Sequence, residues 1–112
     1  MKPAKLIALS VLAISIGGVA SCSYTVSRYE QAFEATTNGD PYSLVVQRFG
    51  EPSVIEFPEQ PFLRYAMPAQ ACRAPCAFRV WWEHPVFKTL TAWSVEFNDK
   101  NQVIHTAYWF ST

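Results

Sequence analysis

Asp40-Pro-Tyr-Ser-Leu-Val-Val-Gln-Arg-Phe-Gly-Glu-Pro52 separates a stretch with helical spacing from one with strand spacing. Asp40 suits a helix cap, and Pro41 suits the first helical position, where its missing N–H costs nothing. Tyr42, Val45 and Phe49 recur at intervals of three and four, which marks one buried helix face. Gly50 supplies the left-handed residue just past the end, and Pro52 stops the helix from continuing.

Outward from this segment the periodicity changes. Upstream, Arg28 to Ala35 reads as a short helix with Ser27 as its cap, Glu30 in its first turn, and Tyr29 and Phe33 on one face. Thr36 to Gly39 end it. Downstream the period becomes two: Ser53–Phe57, Phe62–Met67, Ala77–Glu83, Ala92–Phe97 and Val103–Phe110 read as β-like runs. Phe78, Val80 and Trp82 fall opposite Arg79, Trp81 and Glu83. Asn98 to Gln102 is a hairpin turn. The last run is apolar on both faces, so alternation alone does not choose its buried side. The order predicts an α+β fold, with two short N-terminal helices packed on an antiparallel β-meander of three to four strands.

The N-terminus carries the address. Lys2 and Lys5 precede an apolar run from Leu6 to Ile16, then Gly17-Gly18 and Val19-Ala20-Ser21-Cys22. The run is short of the roughly 18 to 20 apolar residues that span a bilayer, so a cleaved secretory signal over 1–21 is expected. A cysteine directly after a branched-small-small triplet resembles the bacterial lipobox, whose cysteine takes a diacylglycerol on sulfur, becomes the N-terminus and is acylated on its amine. The alternative is a plain secreted protein with an unmodified Cys22. One acyl chain holds a protein only marginally, at ~0.8 kcal/mol per buried CH₂, whereas two or more anchor it lastingly. Residues 22–27 read as a lipidated linker reaching about 20 Å when extended, and 28–112 as a single domain. Ser23, where an Asp would favour inner-membrane retention, resembles the outer-membrane case.

Removal of the signal leaves 91 residues with seven basic and nine acidic side chains, a net charge near −2. One domain fits this length, and no basic patch supports nucleic-acid binding. Four Trp, five Tyr and eight Phe exceed what so small a core needs to hide. With Cys22 lipidated, Cys72 and Cys76 remain, and an oxidising compartment makes a disulfide between them the expectation.

Gly39-Asp-Pro-Tyr-Ser-Leu-Val-Val-Gln-Arg-Phe-Gly-Glu-Pro52 resembles the Gly…Val…Leu-Gly-x-Pro stretch of the SmpA/OmlA/BamE-type outer-membrane lipoproteins. Trp93-Ser-Val-Glu-Phe-Asn-Asp-Lys-Asn-Gln-Val103 resembles their final hairpin. Asp40-Pro41 replace the family's Met-Ser/Thr, the hairpin glycine is absent, and the segment around Cys72 and Cys76 lies outside the pattern. The resemblance implies binding rather than catalysis: members either help the β-barrel assembly machinery or are small periplasmic lipoproteins of unassigned role, and related two-helix, sheet-forming domains act as protein inhibitors.

The residues themselves agree with a non-enzymatic reading. His84 and His105 have no glycine elbow or paired carboxylates beside them. Cys72, Cys76, His84 and His105 could form a Cys₂His₂ zinc site, but the histidines lack the usual close spacing, so neither metal nor cofactor is expected. Trp81, Trp109 and Phe110 are the candidate partner-binding residues, unless the segment around Cys72 folds over them. The expected partners are the bilayer, through Cys22, and a periplasmic or outer-membrane protein. The alternative is a stand-alone ligand-binding or inhibitor-like module retained by its lipid.

Overall fold

The computed structural model describes residues 22–110; the signal peptide expected over 1–21 lies outside them. Residues 22–35 form helix α1 and Tyr42–Phe49 form α2. The strands β1 (Val54–Glu56), β2 (Phe78–Glu83), β3 (Thr91–Phe97) and β4 (Val103–Phe110) make one antiparallel sheet in the order β1-β2-β3-β4. The expected two helices on a meander are therefore present.

Both helices cover one sheet face. Val45 and Phe49 of α2 and Ala32 of α1 are buried against Val80, Trp82, Trp93, Val95, Phe97 and Val103, with Val26, Tyr29, Phe33 and Tyr42 closing the margin. Phe49 stacks on Trp82 at 4.1 Å between ring centroids, and Phe78 stacks on Phe97 at 5.0 Å. The helices also cap one another. Arg28 donates to the carbonyls of Arg48 (2.9 Å) and Gln47 (3.1 Å), and Arg48 donates back to the Ala35 carbonyl (3.0 Å). Each guanidinium thus satisfies carbonyls that the other helix end leaves open.

Three local expectations change. The stretch 22–27 is helical rather than an extended linker, because Val26 continues the Tyr29–Phe33 stripe back by one turn and packs on the core. Phe62–Met67 is not a strand; it belongs to an irregular segment, 57–77, that crosses the other sheet face. Pro41 rather than Asp40 occupies the cap of α2. The Asp40 carboxylate turns back to accept from the Thr37 N–H (3.0 Å) and from Arg48 (2.8 Å). The Thr37 amide and then the Arg48 guanidinium hold its pKa below the ordinary carboxylate value.

The second face carries its own core. Trp81, Ala66 and Ala92 are buried there, with Val54, Phe62, Tyr65 and Trp109 packed around them. Within it Glu56 accepts from Arg79 Nε (2.7 Å), Trp81 Nε1 (2.9 Å) and the Phe62 N–H (2.9 Å). The Arg79 guanidinium donates to the Gln70 carbonyl (2.8 Å) and lies over the Trp81 ring at 4.8 Å. Cys72 and Cys76 form a buried disulfide with Cα atoms 5.4 Å apart, which pins the end of this segment.

Two substitutions test the two layers. Gly50 sits at φ 96° and ψ −166°, a region essentially reserved for glycine, and a Cβ there would meet the Arg28 guanidinium at 3.2 Å. Gly50→Ala should lower unfolding stability by about 1 to 3 kcal/mol, read from urea midpoints. Cys72→Ala with Cys76→Ala should cost about 2 kcal/mol, because the closed loop is short. A near-wild-type midpoint for the double variant would show that the polar contacts alone hold the segment.

Candidate functional site

The expected binding residues separate by position. Trp81 is fully buried beneath the segment 57–77, so it cannot meet a partner in this fold. Trp109 is half-buried on the same face, where its Nε1–H donates to Ser94 Oγ at 2.7 Å and its ring lies 5.4 Å from Trp81. Phe110 is paired with Thr91 on the opposite, helix-bearing face and is 67 % exposed. The three therefore do not form one surface. Strand alternation assigns side chains to a face but says nothing about what covers it.

The cysteines and histidines also part. Cys72 and Cys76 are spent in the disulfide, and Cys22 is a half-buried free thiol at the start of the described part of α1. His84 Nδ1 accepts the N–H groups of Val86 (3.1 Å) and Phe87 (2.9 Å), which orders the β2–β3 loop. His105 is exposed near the other end of the sheet, with Nε2 3.9 Å from a Glu96 carboxylate oxygen. Among the described residues no group of three or more His, Cys, Asp or Glu side chains is placed to hold a metal.

A different constellation lies at the β4 edge. β4 ends the sheet order, so the outward backbone groups of an eight-residue strand have no strand partner among the described residues. Such an edge is a template for an added strand. Beside it runs an open groove of about 410 Å³ between α1 and the sheet, lined by Phe33, Trp93 and Tyr108 and flanked by Glu30 and Glu34. Tyr29 braces Trp93 at 5.2 Å, and Trp93 meets Tyr108 at 5.5 Å. Tyr108 remains 52 % exposed. Its position one residue before Trp109 was the available signal: alternation puts the two on opposite faces, and only Tyr108 falls beside the helices.

A second polar cluster holds the insert at the far side. Glu83 is buried and accepts from Arg64 and from the Tyr65 hydroxyl (3.1 Å), while Ser53 Oγ accepts the Glu83 N–H (3.0 Å). Burial, then the hydrogen bond and charge of Glu83, push the Tyr65 phenol up to about 12. The raised value means that the neutral phenol is favoured by folding. Its contribution is complete below pH 10 and is lost as pH climbs from there towards 12. In a 295 nm titration, Tyr65→Phe should remove the highest of the tyrosine transitions; loss of a transition near the ordinary value of 10 would contradict this packing. No protein-family model, curated protein or solved structure matches the chain.

Proposed function

We propose that this chain is a lipid-anchored, non-enzymatic binding module on the periplasmic face of the outer membrane, which takes up an extended segment of a partner protein along β4. The observation that carries the reading is the open β4 edge beside the Phe33–Trp93–Tyr108 groove. An added strand would gain main-chain hydrogen bonds from the edge, and one large side chain could enter the groove. The carboxylates of Glu30 and Glu34 favour a segment that carries Lys or Arg at that point.

The anchor rests on Val19-Ala20-Ser21-Cys22. In that chemistry the Cys22 sulfur attacks the glyceryl carbon of a glycerophospholipid and forms a thioether. The phosphoryl headgroup leaves with the C–O electron pair, and the thiol proton passes to a base. Cleavage before Cys22 then frees the amine for acylation. The structural role of His84, which orders the β2–β3 loop, supports a binding rather than a catalytic reading. The sequence resemblance to SmpA/OmlA/BamE-type lipoproteins favours a role in assembling outer-membrane proteins.

Affinity purification from gently detergent-solubilised membranes tests both parts. The wild type should retain barrel-assembly components, and Tyr108→Ala should weaken that retention about tenfold, equivalent to roughly 1.4 kcal/mol. Lack of barrel-assembly components would sink the assembly role and favour a stand-alone ligand or inhibitor module. Retention unaffected by Tyr108→Ala would exclude the groove. The intact mass of the purified protein should show a diacylglyceryl and an N-acyl group on Cys22; an unmodified Cys22 makes the lipid anchor wrong.

A further inference from the structure

Chain direction fixes which end of the domain carries Cys22. The segment after α1 lies at the hairpin end of the sheet, where the Gly39 N–H donates to the Val103 carbonyl (2.8 Å) and the Tyr42 N–H to the Asn101 carbonyl (2.9 Å). Tyr29 stands against Trp93, towards the opposite end. Cys22 precedes Tyr29 by two helical turns, about 10 Å further along at 1.5 Å per residue. That same end carries the β2–β3 loop, residues 84–90, and Phe110, which is paired with Thr91 at the loop's base.

The loop at this end carries exposed apolar side chains, with the Arg64–Glu83 pair at its base. Val86, Phe87 and Leu90 are 61 %, 55 % and 42 % exposed, beside the exposed Phe110. Three of the loop's backbone donors are satisfied within it: Val86 and Phe87 donate to His84 Nδ1, and Leu90 donates to the Phe87 carbonyl at 3.0 Å. Side chains so mounted can enter an apolar phase without carrying those amides in unsatisfied. Lys88 is the single Lys, Arg, Asp or Glu in the loop. Its sign suits anionic headgroups, and its long stem lets the ammonium stay at the surface. The opposite end, Asn98 to Gln102, is wholly polar.

The geometry points to the loop 84–90 with Phe110 as a second membrane contact, seated at the boundary between headgroups and acyl chains of the same bilayer that holds Cys22. The inference rests on the lipid-anchor reading above. It orients the domain with its strands upright and the 98–102 hairpin directed away from the membrane, leaving the β4 groove open at the side.

Nitroxide labels at Val86→Cys, Leu90→Cys, Met67→Cys and Lys100→Cys test it in the full lipidated protein, reconstituted in phosphatidylethanolamine/phosphatidylglycerol vesicles. All four positions are exposed, and circular dichroism verifies each fold. Accessibility to oxygen should exceed accessibility to an aqueous nickel chelate at 86 and 90, with the order reversed at 67 and 100. Vesicle-bound protein with 86 and 90 open to nickel overturns the inference and leaves the anchor standing. Oxygen preference at 67 instead of 86 overturns it in favour of the segment 57–77. Protein purified from cell membranes whose intact mass shows no acyl groups on Cys22 overturns the anchor reading and this inference together.

Discussion

A single buried carboxylate holds the two-layered architecture in register. Glu56, at the end of β1, accepts from the side chains of Arg79 and Trp81 on β2 and from the backbone of Phe62 in the crossing segment. Arg79 extends the link to the Gln70 carbonyl. Removing one partner of such a buried pair typically costs ~3 to 5 kcal/mol, because the other charge is stranded. Arg79 Nη2 is buried without a hydrogen-bond partner. The faces of Trp81 and Trp109, at 4.8 and 5.7 Å from the guanidinium carbon, offset part of that cost through cation–π attraction.

Glu56 thereby fixes an irregular segment as a structural layer. The segment 57–77 has four prolines, Pro58, Pro61, Pro68 and Pro75, and few repeating hydrogen bonds of its own. The alternation at Phe62–Met67 does not become a strand; instead Phe62, Tyr65 and Ala66 seat against Trp81. Polar contacts at one end, the disulfide at the other, and the Arg64–Glu83–Tyr65 cluster between them fix its path.

This explains what was legible in the sequence. Helix α2 could be read because the Tyr42–Val45–Phe49 stripe, Gly50 and Pro52 all act locally. The strands β2 and β3 were readable because their alternation is a property of each strand by itself, and β4 because it is an apolar run directly after the polar turn 98–102. The course of 57–77 was not, since it depends on Glu56 and Arg79 meeting across strands. Ser27 was misread as a start because a good cap residue does not reveal whether Val26, before it, finds a core to pack on. The partner surface failed for the same reason: Trp81 and Trp109 share one face and Phe110 takes the other, and what covers each is set by tertiary contacts. Tyr108 and Phe33 are distant in sequence, and only the packing of α1 on the sheet makes them neighbours.

The two cores lie on opposite sides of one sheet and share no buried side chain. The helical layer joins residues far apart in the chain, whereas most of the other layer comes from the loop between two adjacent strands. Such a division allows opening in stages. The loop can lift as a unit while the helices keep their grip on the opposite face. Through Trp109, which packs in the insert's core one residue from Tyr108, the insert's seating still reaches the strand that borders the groove.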